Sequence, residues 1–175
     1  MSFRTIGRLA VVGVLSAGLA CAGAEQEAGE EAGAGVAVPD TTAAALWAHL
    51  EGAGYAANWT LWPDKGQLYQ GTEPHGMLLT TYLNELALDA LTNKAGTMPA
   101  GAIVVKENYM PDSALAAVTV MYKAAVGYNP EHNDWFFLKR LADGTVEASG
   151  RVAGCQGCHA GVAANDYLFT GSLSQ

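Results

Sequence analysis

A five-residue segment near the carboxyl terminus, Cys155-Gln156-Gly157-Cys158-His159, has a spacing that few kinds of protein use. The pattern is C-x-x-C-H, the attachment sequence of a c-type haem. Cysteines one helical turn apart add to the two vinyl groups of a haem as thioethers, and the adjacent histidine supplies an axial nitrogen to the iron. The segment therefore predicts one covalent haem c, attached at Cys155 and Cys158, with His159 as the iron ligand.

Other uses of paired cysteines fit this sequence less well. A redox dithiol uses the same C-x-x-C spacing, but no thioredoxin-like β-α-β pattern surrounds it. A zinc site needs two further ligands at matching spacing, and the chain has only three cysteines, with no second pair. A disulfide across two intervening residues is uncommon. Because Cys21 stands far away, the other two cysteines are left for the haem.

Residues 1–20 have the features of a secretory signal peptide, because Arg4 and Arg8 precede an uncharged run that ends in small residues. That run is too short for a comfortable transmembrane helix. The segment Gly18-Leu19-Ala20-Cys21 resembles a bacterial lipobox, in which the cysteine becomes lipidated. We therefore expect export to the periplasm, with a lipid on Cys21 as the only membrane attachment. Ordinary cleavage a few residues later is the alternative.

The rest of the chain divides into a tether and one folded domain. Residues 21–38 are almost entirely alanine, glycine, glutamate and valine, which is typical of a flexible acidic tether. Residues 39–175 form the predicted domain, and a chain that is 50% hydrophobic has enough apolar surface to build its core. With 9 basic and 17 acidic residues, the net charge of -8 argues against binding to nucleic acid.

The domain is predicted to be α+β, with a mainly antiparallel sheet, a few helices and the haem-attachment segment at its carboxyl end. Asp40 or Thr41 is expected to cap a first helix, and Asn84 a second one. Closely spaced apolar runs favour an antiparallel sheet over alternating β-α-β units. The predicted strands are residues 76–83, 102–109, 116–122, 135–141 and 145–148.

The role of the haem depends on the sixth position of its iron. A methionine or histidine there gives a low-spin electron carrier. Met98 and Met110 stand next to prolines in predicted loops and are the candidate ligands, whereas Met77 and Met121 lie in apolar strand runs and are assigned to the core. His75 is either a ligand, a distal group or a hydrogen-bonded turn histidine.

The sequence is similar to the cytochrome P-460 family from about residue 59 to residue 173. The D-Y-x-F-T ending after the haem motif is the most specific element beyond the haem site itself. A haem motif so close to the carboxyl terminus also fits this family. The segments that carry the resemblance are residues 73–76, 102–109, 120–123, 134–136, 155–159 and 165–170.

The resemblance implies a mainly antiparallel β fold with a few helices, often dimeric, and one c-type haem. In the family the motif histidine is the proximal ligand, and the other face of the iron is open to small nitrogen ligands. Members with the full chemistry oxidise hydroxylamine or nitric oxide, and a lysine side chain forms an extra covalent bond to the porphyrin edge. Lys106 matches that lysine. A related branch, the cytochromes c′-beta, lacks the bond and binds nitric oxide without evident turnover.

Lys106 is also unusual when it is considered by its position alone. It interrupts an apolar strand, and alternation places it on the same face as Val104 and Asn108. A lysine that faces an apolar pocket is pushed towards its neutral, nucleophilic form by desolvation. The alternative is a lysine at a strand end that points to solvent.

The leading hypothesis is an exported haem protein that oxidises hydroxylamine or nitric oxide and passes electrons to an exported redox partner, with Lys106 as a catalytic and haem-bound residue. A carboxylate over the open face of the haem would help to remove protons. Glu107, Glu147 and Asp112 are candidates by location, although alternation puts Glu107 opposite Lys106. The alternatives are a non-catalytic nitric-oxide-binding protein and a plain electron-transfer cytochrome.

Overall fold

The computed structural model describes residues 38–174, so the predicted signal peptide, Cys21 and nearly all of the tether lie outside the described residues. The described part contains four α-helices and seven strands. No helix within it is long and apolar enough to span a membrane. The helices are α1 (Ala43–Ala53), α2 (Tyr55–Asn58), α3 (Glu85–Thr92) and α4 (Ala153–His159). The strands are β1 (Thr60–Leu61), β2 (Tyr69–Gln70), β3 (Leu78–Leu83), β4 (Ile103–Tyr109), β5 (Leu115–Lys123), β6 (Trp135–Leu141) and β7 (Val146–Gly150).

The seven strands form one antiparallel sheet in the order β1-β3-β4-β5-β6-β7, and β2 also pairs with β3. From β4 to β7 the chain is a simple meander, because each strand pairs with the next strand in sequence. This arrangement confirms the α+β prediction with a mainly antiparallel sheet. The five predicted strands correspond to β3–β7, with ends that shift by up to two residues.

Two helix caps connect the sequence to the fold. Thr42, rather than Asp40 or Thr41, caps α1, because its hydroxyl accepts a hydrogen bond from the Ala45 amide at 3.2 Å. Asn84 caps α3 as predicted, with its side-chain oxygen 3.0 Å from the Ala87 amide. The same oxygen accepts from the amide of Ile103 at 2.9 Å, which ties the start of α3 to β4.

The two faces of the sheet bury different cores because side chains alternate along each strand. One face packs against α1, where Leu46 and Leu50 contact a cluster that includes Val105. The opposite face packs against α3 and the carboxyl-terminal segment and includes Phe137. Lys106 belongs to this second face, as alternation predicted.

Candidate haem site

Helix α4 carries the C-x-x-C-H motif at the edge of the second core. Cys155 and Cys158 are one helical turn apart and both thiols are free. Cys155 is partly buried and Cys158 is exposed, and burial raises the pKa of the Cys155 thiol. Both cysteines line a cavity of about 960 Å³ that also contains the side chain of His159. The structure therefore brings all three predicted haem-binding residues to one cavity.

His159 is held in one orientation by the backbone of the segment that follows it. Its Nδ1 donates to the carbonyl oxygen of Tyr167 at 2.7 Å, and the imidazole is 8% exposed. The rings of Phe137 and Phe169 pack against it, with centroids 5.4 and 5.3 Å away. Burial lowers the pKa of His159. The bond from Nδ1 leaves Nε2 with its lone pair, which is the atom an iron ligand needs.

The carbonyl of Tyr167 is fixed in turn by Asp166. Asp166 and Tyr167 have positive φ angles of 50° and 65°, a conformation that non-glycine residues rarely adopt. The Asp166 carboxylate accepts hydrogen bonds from Lys123 Nζ at 2.7 Å and from the Met98 amide at 2.6 Å. Trp135 Nε1 donates to it as well, at 3.1 Å. This buried network, which the sequence did not predict, sets the position of the acceptor for His159.

Four polar side chains, one from each of the neighbouring strands β3 to β6, form a row on the sheet side of the cavity, which we call the polar row. Strand register places Thr81 beside Lys106, Lys106 beside Thr119, and Thr119 beside Lys139. All four line the cavity. Lys139 was not singled out from the sequence, although its alternation with Phe137 along β6 puts both on this face. The cavity therefore has an apolar wall around His159 and polar groups on the strands opposite.

Lys106 has no acidic partner within the described part of the chain. Burial lowers the pKa of its amine, and no carboxylate among residues 38–174 forms an ion pair with it. This is the environment in which a lysine is most readily deprotonated. The side chain faces the cavity rather than open solvent, which is the geometry its predicted role requires.

A second imidazole shares the cavity. The ring of His75 lies 6.1 Å from that of His159, centroid to centroid. Burial, followed by the positive charge of Lys106, lowers the pKa of His75 to about 4, so its ring is neutral at pH 7. His75 Nδ1 lies 3.4 Å from the hydroxyl of Thr119, which connects it to the polar row.

The methionines proposed as axial ligands do not reach the cavity. Met98 is buried in the core at 2% exposure and Met110 is exposed at 52%, and neither lines the cavity. The assignment of Met77 to the core is wrong, because it precedes β3 and is 45% exposed. Met121 is buried as expected, and it contributes to the cavity wall.

The carboxylates considered for proton transfer lie elsewhere. Glu107 faces the α1 side, where the hydroxyls of Tyr55 and Tyr109 donate to it at 2.9 and 2.6 Å. Glu147 pairs with Lys139 at 2.6 Å on the surface. Asp112 lies in the β4–β5 turn, where it accepts from the Ala114 amide, and none of the three lines the cavity.

The residues present fit a haem. The cavity volume of about 960 Å³ lies at the upper end of the range for small-molecule sites, roughly 300–1,000 Å³. Both thiols open onto it, and the imidazole presents Nε2 while its other nitrogen is occupied. Its wall near that imidazole is aromatic, which suits a porphyrin face. Cys155 and Cys158 would hold the group, and His159 would bind its iron.

Comparison with known families agrees with this geometry. The family model described as Cytochrome P460 matches residues 57–170, which is well over half of the chain. The match contains β3 to β7, Lys106 and the whole of α4. A comparison with curated proteins finds no match.

Proposed function

Because the chain belongs to the cytochrome P460 family, a family of haem proteins, we propose that it is an oxidoreductase acting on hydroxylamine or nitric oxide. One haem c is attached through Cys155 and Cys158, with His159 as its protein ligand. The electrons go to an exported redox partner. The haem supplies an iron that binds a small nitrogen ligand and takes up electrons.

One observation carries the proposal. The two thiols, the oriented imidazole of His159 and the amine of Lys106 all face one cavity, although Lys106 comes from the centre of the sheet and the others from α4. A plain haem-attachment site requires only the motif residues. A buried lysine in the same cavity, without an ion-pair partner among the residues that the structure describes, is the additional feature that the oxidising chemistry uses.

The side chains around the cavity have separate tasks. Tyr167 keeps the His159 ring in one tautomer through the bond to Nδ1. Phe137 and Phe169 shield that ring from water. Oxidation of hydroxylamine releases as many protons as electrons. The imidazole of His75 and the carboxylate of Glu73 both line the cavity, and either can accept a proton there.

Lys106 is proposed to bond covalently to the porphyrin edge. Such a bond replaces one amine N–H and one ring C–H by C–N and releases two protons and two electrons, which an external two-electron oxidant of the peroxide class would take up. Burial favours the neutral amine that this reaction needs. The bond would distinguish the enzyme from a relative that only binds nitric oxide.

The test uses two lysines on the same polar row. Lys106→Ala should abolish a red-shifted haem band that persists on denaturation, and should abolish hydroxylamine oxidation. Lys139→Ala is the matched control, because it removes a neighbouring lysine whose side chain lines the cavity and should leave the band in place. If Lys106→Ala retains both band and activity, the mechanism is wrong.

Two alternatives give different spectra. A nitric-oxide-binding protein would show an ordinary high-spin haem c spectrum in the wild type, with no turnover of hydroxylamine. An electron carrier would be low-spin and needs a sixth protein ligand. The placement of Met98 and Met110 away from the cavity disfavours the carrier with either methionine.

The proposal includes export and anchoring through a lipid on Cys21. Its support is the sequence alone, namely the basic, uncharged and lipobox-like segments at the amino terminus. Labelling of cells with a fatty-acid analogue should mark the wild-type protein and not Cys21→Ser. If neither the wild type nor Cys21→Ser is labelled, the protein has no lipid anchor and ordinary signal cleavage is the better account. Size-exclusion chromatography of the purified protein would test the expected homodimer.

A further inference from the structure

His75 stands on a short loop that brings its side chain to the haem cavity. The loop, residues 71–77, joins β2 to β3, and the amide of Gly71 closes it by donating to the carbonyl of Met77 at 2.8 Å. Gly76 has a φ of 133°, and a Cβ at this position would lie 3.2 Å from a backbone oxygen of β4. A larger residue there would push the loop away from the sheet. The glycine therefore lets the loop hold the His75 imidazole against the cavity, which it lines.

The imidazoles of His75 and His159 are spaced as two ligands of one metal ion would be. Their ring centroids are 6.1 Å apart, and the ring planes make an angle of 84°. A metal–imidazole bond is about 2.0–2.1 Å long and the ring centre lies roughly 1.1 Å behind its nitrogen, so two imidazoles on opposite sides of one metal would be about 6.3 Å apart, centre to centre. The observed separation is close to this value.

The polar contacts of both rings involve Nδ1. His159 donates from Nδ1 to the carbonyl of Tyr167. In His75, Nδ1 lies 3.4 Å from the hydroxyl of Thr119, and Asn108, which donates to that hydroxyl at 3.1 Å, has a side-chain hydrogen bond with His75. A hydrogen on Nδ1 leaves the lone pair of Nε2 for a metal, and partners of this kind orient the histidines that bind metals.

The two histidines differ in how firmly the fold holds them. His159 belongs to α4, beside the cysteines that would bind the haem, and its ring packs against two phenylalanines. His75 belongs to a loop in which residues 72–74 are exposed, and its bond to Thr119 is long. His75 is therefore the ligand that can move away while the sheet and α4 stay in place.

We propose that Nε2 of His75 binds the iron opposite His159 in the resting ferric protein and is displaced when hydroxylamine or nitric oxide binds. The exchange breaks one Fe–N bond and forms another, and no electron is transferred in it. It also frees the imidazole of His75 beside the new ligand, where it can accept a proton. The inference rests on the haem site of the proposed function and adds control over access to the iron.

Electron paramagnetic resonance of the ferric holoprotein is the first test. Two axial imidazoles give a low-spin iron, and nearly perpendicular ring planes should give a strongly anisotropic signal. His75→Gln should become high-spin, because an amide does not replace the imidazole. His49→Gln is the matched control, since His49 lies on α1 outside this cavity and its loss should leave the signal unchanged. A high-spin wild type, or the same low-spin signal in folded His75→Gln, would overturn the inference.

Ligand affinity is the second test. Optical titration of the ferric protein, without oxygen or an electron acceptor, gives dissociation constants for hydroxylamine and for nitric oxide. If His75 is bound to about nine-tenths of the iron or more, its removal should tighten the binding of both ligands about tenfold or more. Unchanged or weaker binding in folded His75→Gln would contradict displacement. So would a low-spin wild type whose signal no concentration of hydroxylamine alters, which is the behaviour of an electron carrier.

A second variant covers a failure of His75→Gln to fold. His75→Ala leaves room for a free imidazole at the sixth position of the iron. Imidazole added to His75→Ala should restore the anisotropic low-spin signal. A folded His75→Ala that stays high-spin at saturating imidazole would count against the assignment.

The inference and the proposed function can fail separately. A resting iron bound by His75 that releases it to hydroxylamine, in a wild type with no turnover, would retain the ligand exchange and remove the enzymatic function. Turnover of hydroxylamine by a wild type whose resting iron is high-spin would do the reverse.

Discussion

His159 Nδ1 donates to the backbone carbonyl of Tyr167 at 2.7 Å, so the orientation of the predicted iron ligand depends on a segment eight residues further along the chain. That segment has an unusual backbone, and the carboxylate of Asp166 holds it. Haem binding and the stability of the carboxyl-terminal segment are therefore coupled.

The coupling makes the buried ion pair between Asp166 and Lys123 a sensitive site. The two side chains are 1% and 7% exposed, and their charged atoms are 2.7 Å apart. Asp166→Ala leaves a buried ammonium without its partner and should reduce the free energy of unfolding by about 3–5 kcal/mol. Urea titration followed by fluorescence measures this change.

The surface pair between Lys139 and Glu147 provides the control. Its side chains are 38% and 49% exposed, so Glu147→Ala should change the free energy of unfolding by less than about 1 kcal/mol. Equal losses in Asp166→Ala and Glu147→Ala would contradict the structural role given to Asp166.

Covalent attachment through both cysteines predicts that bound haem is lost stepwise as the cysteines are removed. Cys155→Ala and Cys158→Ala should each keep haem through a single thioether, while the double cysteine variant should release it to acidified acetone once Lys106→Ala has also removed the proposed lysine bond. The measurement is the haem content of the extract and the intact mass of the protein. Complete release of haem from the wild type would show that neither cysteine holds the group.

Removal of the iron ligand should be reversible with a small molecule. His159→Gly removes the imidazole and leaves a hole between Phe137 and Phe169. Added imidazole should fill it and restore the optical spectrum, because the thioethers still hold the haem in place. If the spectrum of His159→Gly already equals that of the wild type before imidazole is added, another residue binds the iron.

The neutral state of His75 predicts a pH dependence of stability. Its pKa falls from 6.5 to about 4 on folding, chiefly by burial, so the unfolded chain binds more protons between these values. Stability is therefore fully present above pH 6.5 and decreases as the pH falls towards 4. After allowance for partial exposure the loss is on the order of 2 kcal/mol, since one pKa unit is about 1.4 kcal/mol.

The matching experiment is urea unfolding of the wild type and His75→Gln at pH 7 and pH 4.5. His75→Gln should lose less stability between the two pH values. His49→Gln, on α1 at a site away from the cavity, should behave like the wild type. Identical pH dependence in the wild type and His75→Gln would show that His75 does not fold in its neutral form.

The sequence was most informative where function depends on local spacing. The haem motif singled out three residues that the structure brings to one cavity, and the period-two pattern of β4 predicted the face on which Lys106 lies. The polar network around Asp166 was not predictable, because Lys123 and Asp166 are 43 residues apart and nothing local to either reveals the other.

The features that the sequence predicted wrongly or missed also have physical causes. The apolar run containing Met77 resembled a strand, yet β3 begins one residue later and leaves its side chain in a loop. The hydrogen bonds of the Asn108 side-chain nitrogen depend on acceptors from two strands at once, which no pattern within one strand can show.

Anaerobic turnover tests the central claim most directly. Hydroxylamine is mixed with the purified holoprotein and a dye that accepts electrons, and dye reduction is recorded together with hydroxylamine consumption. We predict that both proceed catalytically in the wild type and stop in Lys106→Ala. Binding of hydroxylamine to the wild-type haem without any reduction of the dye would contradict the account.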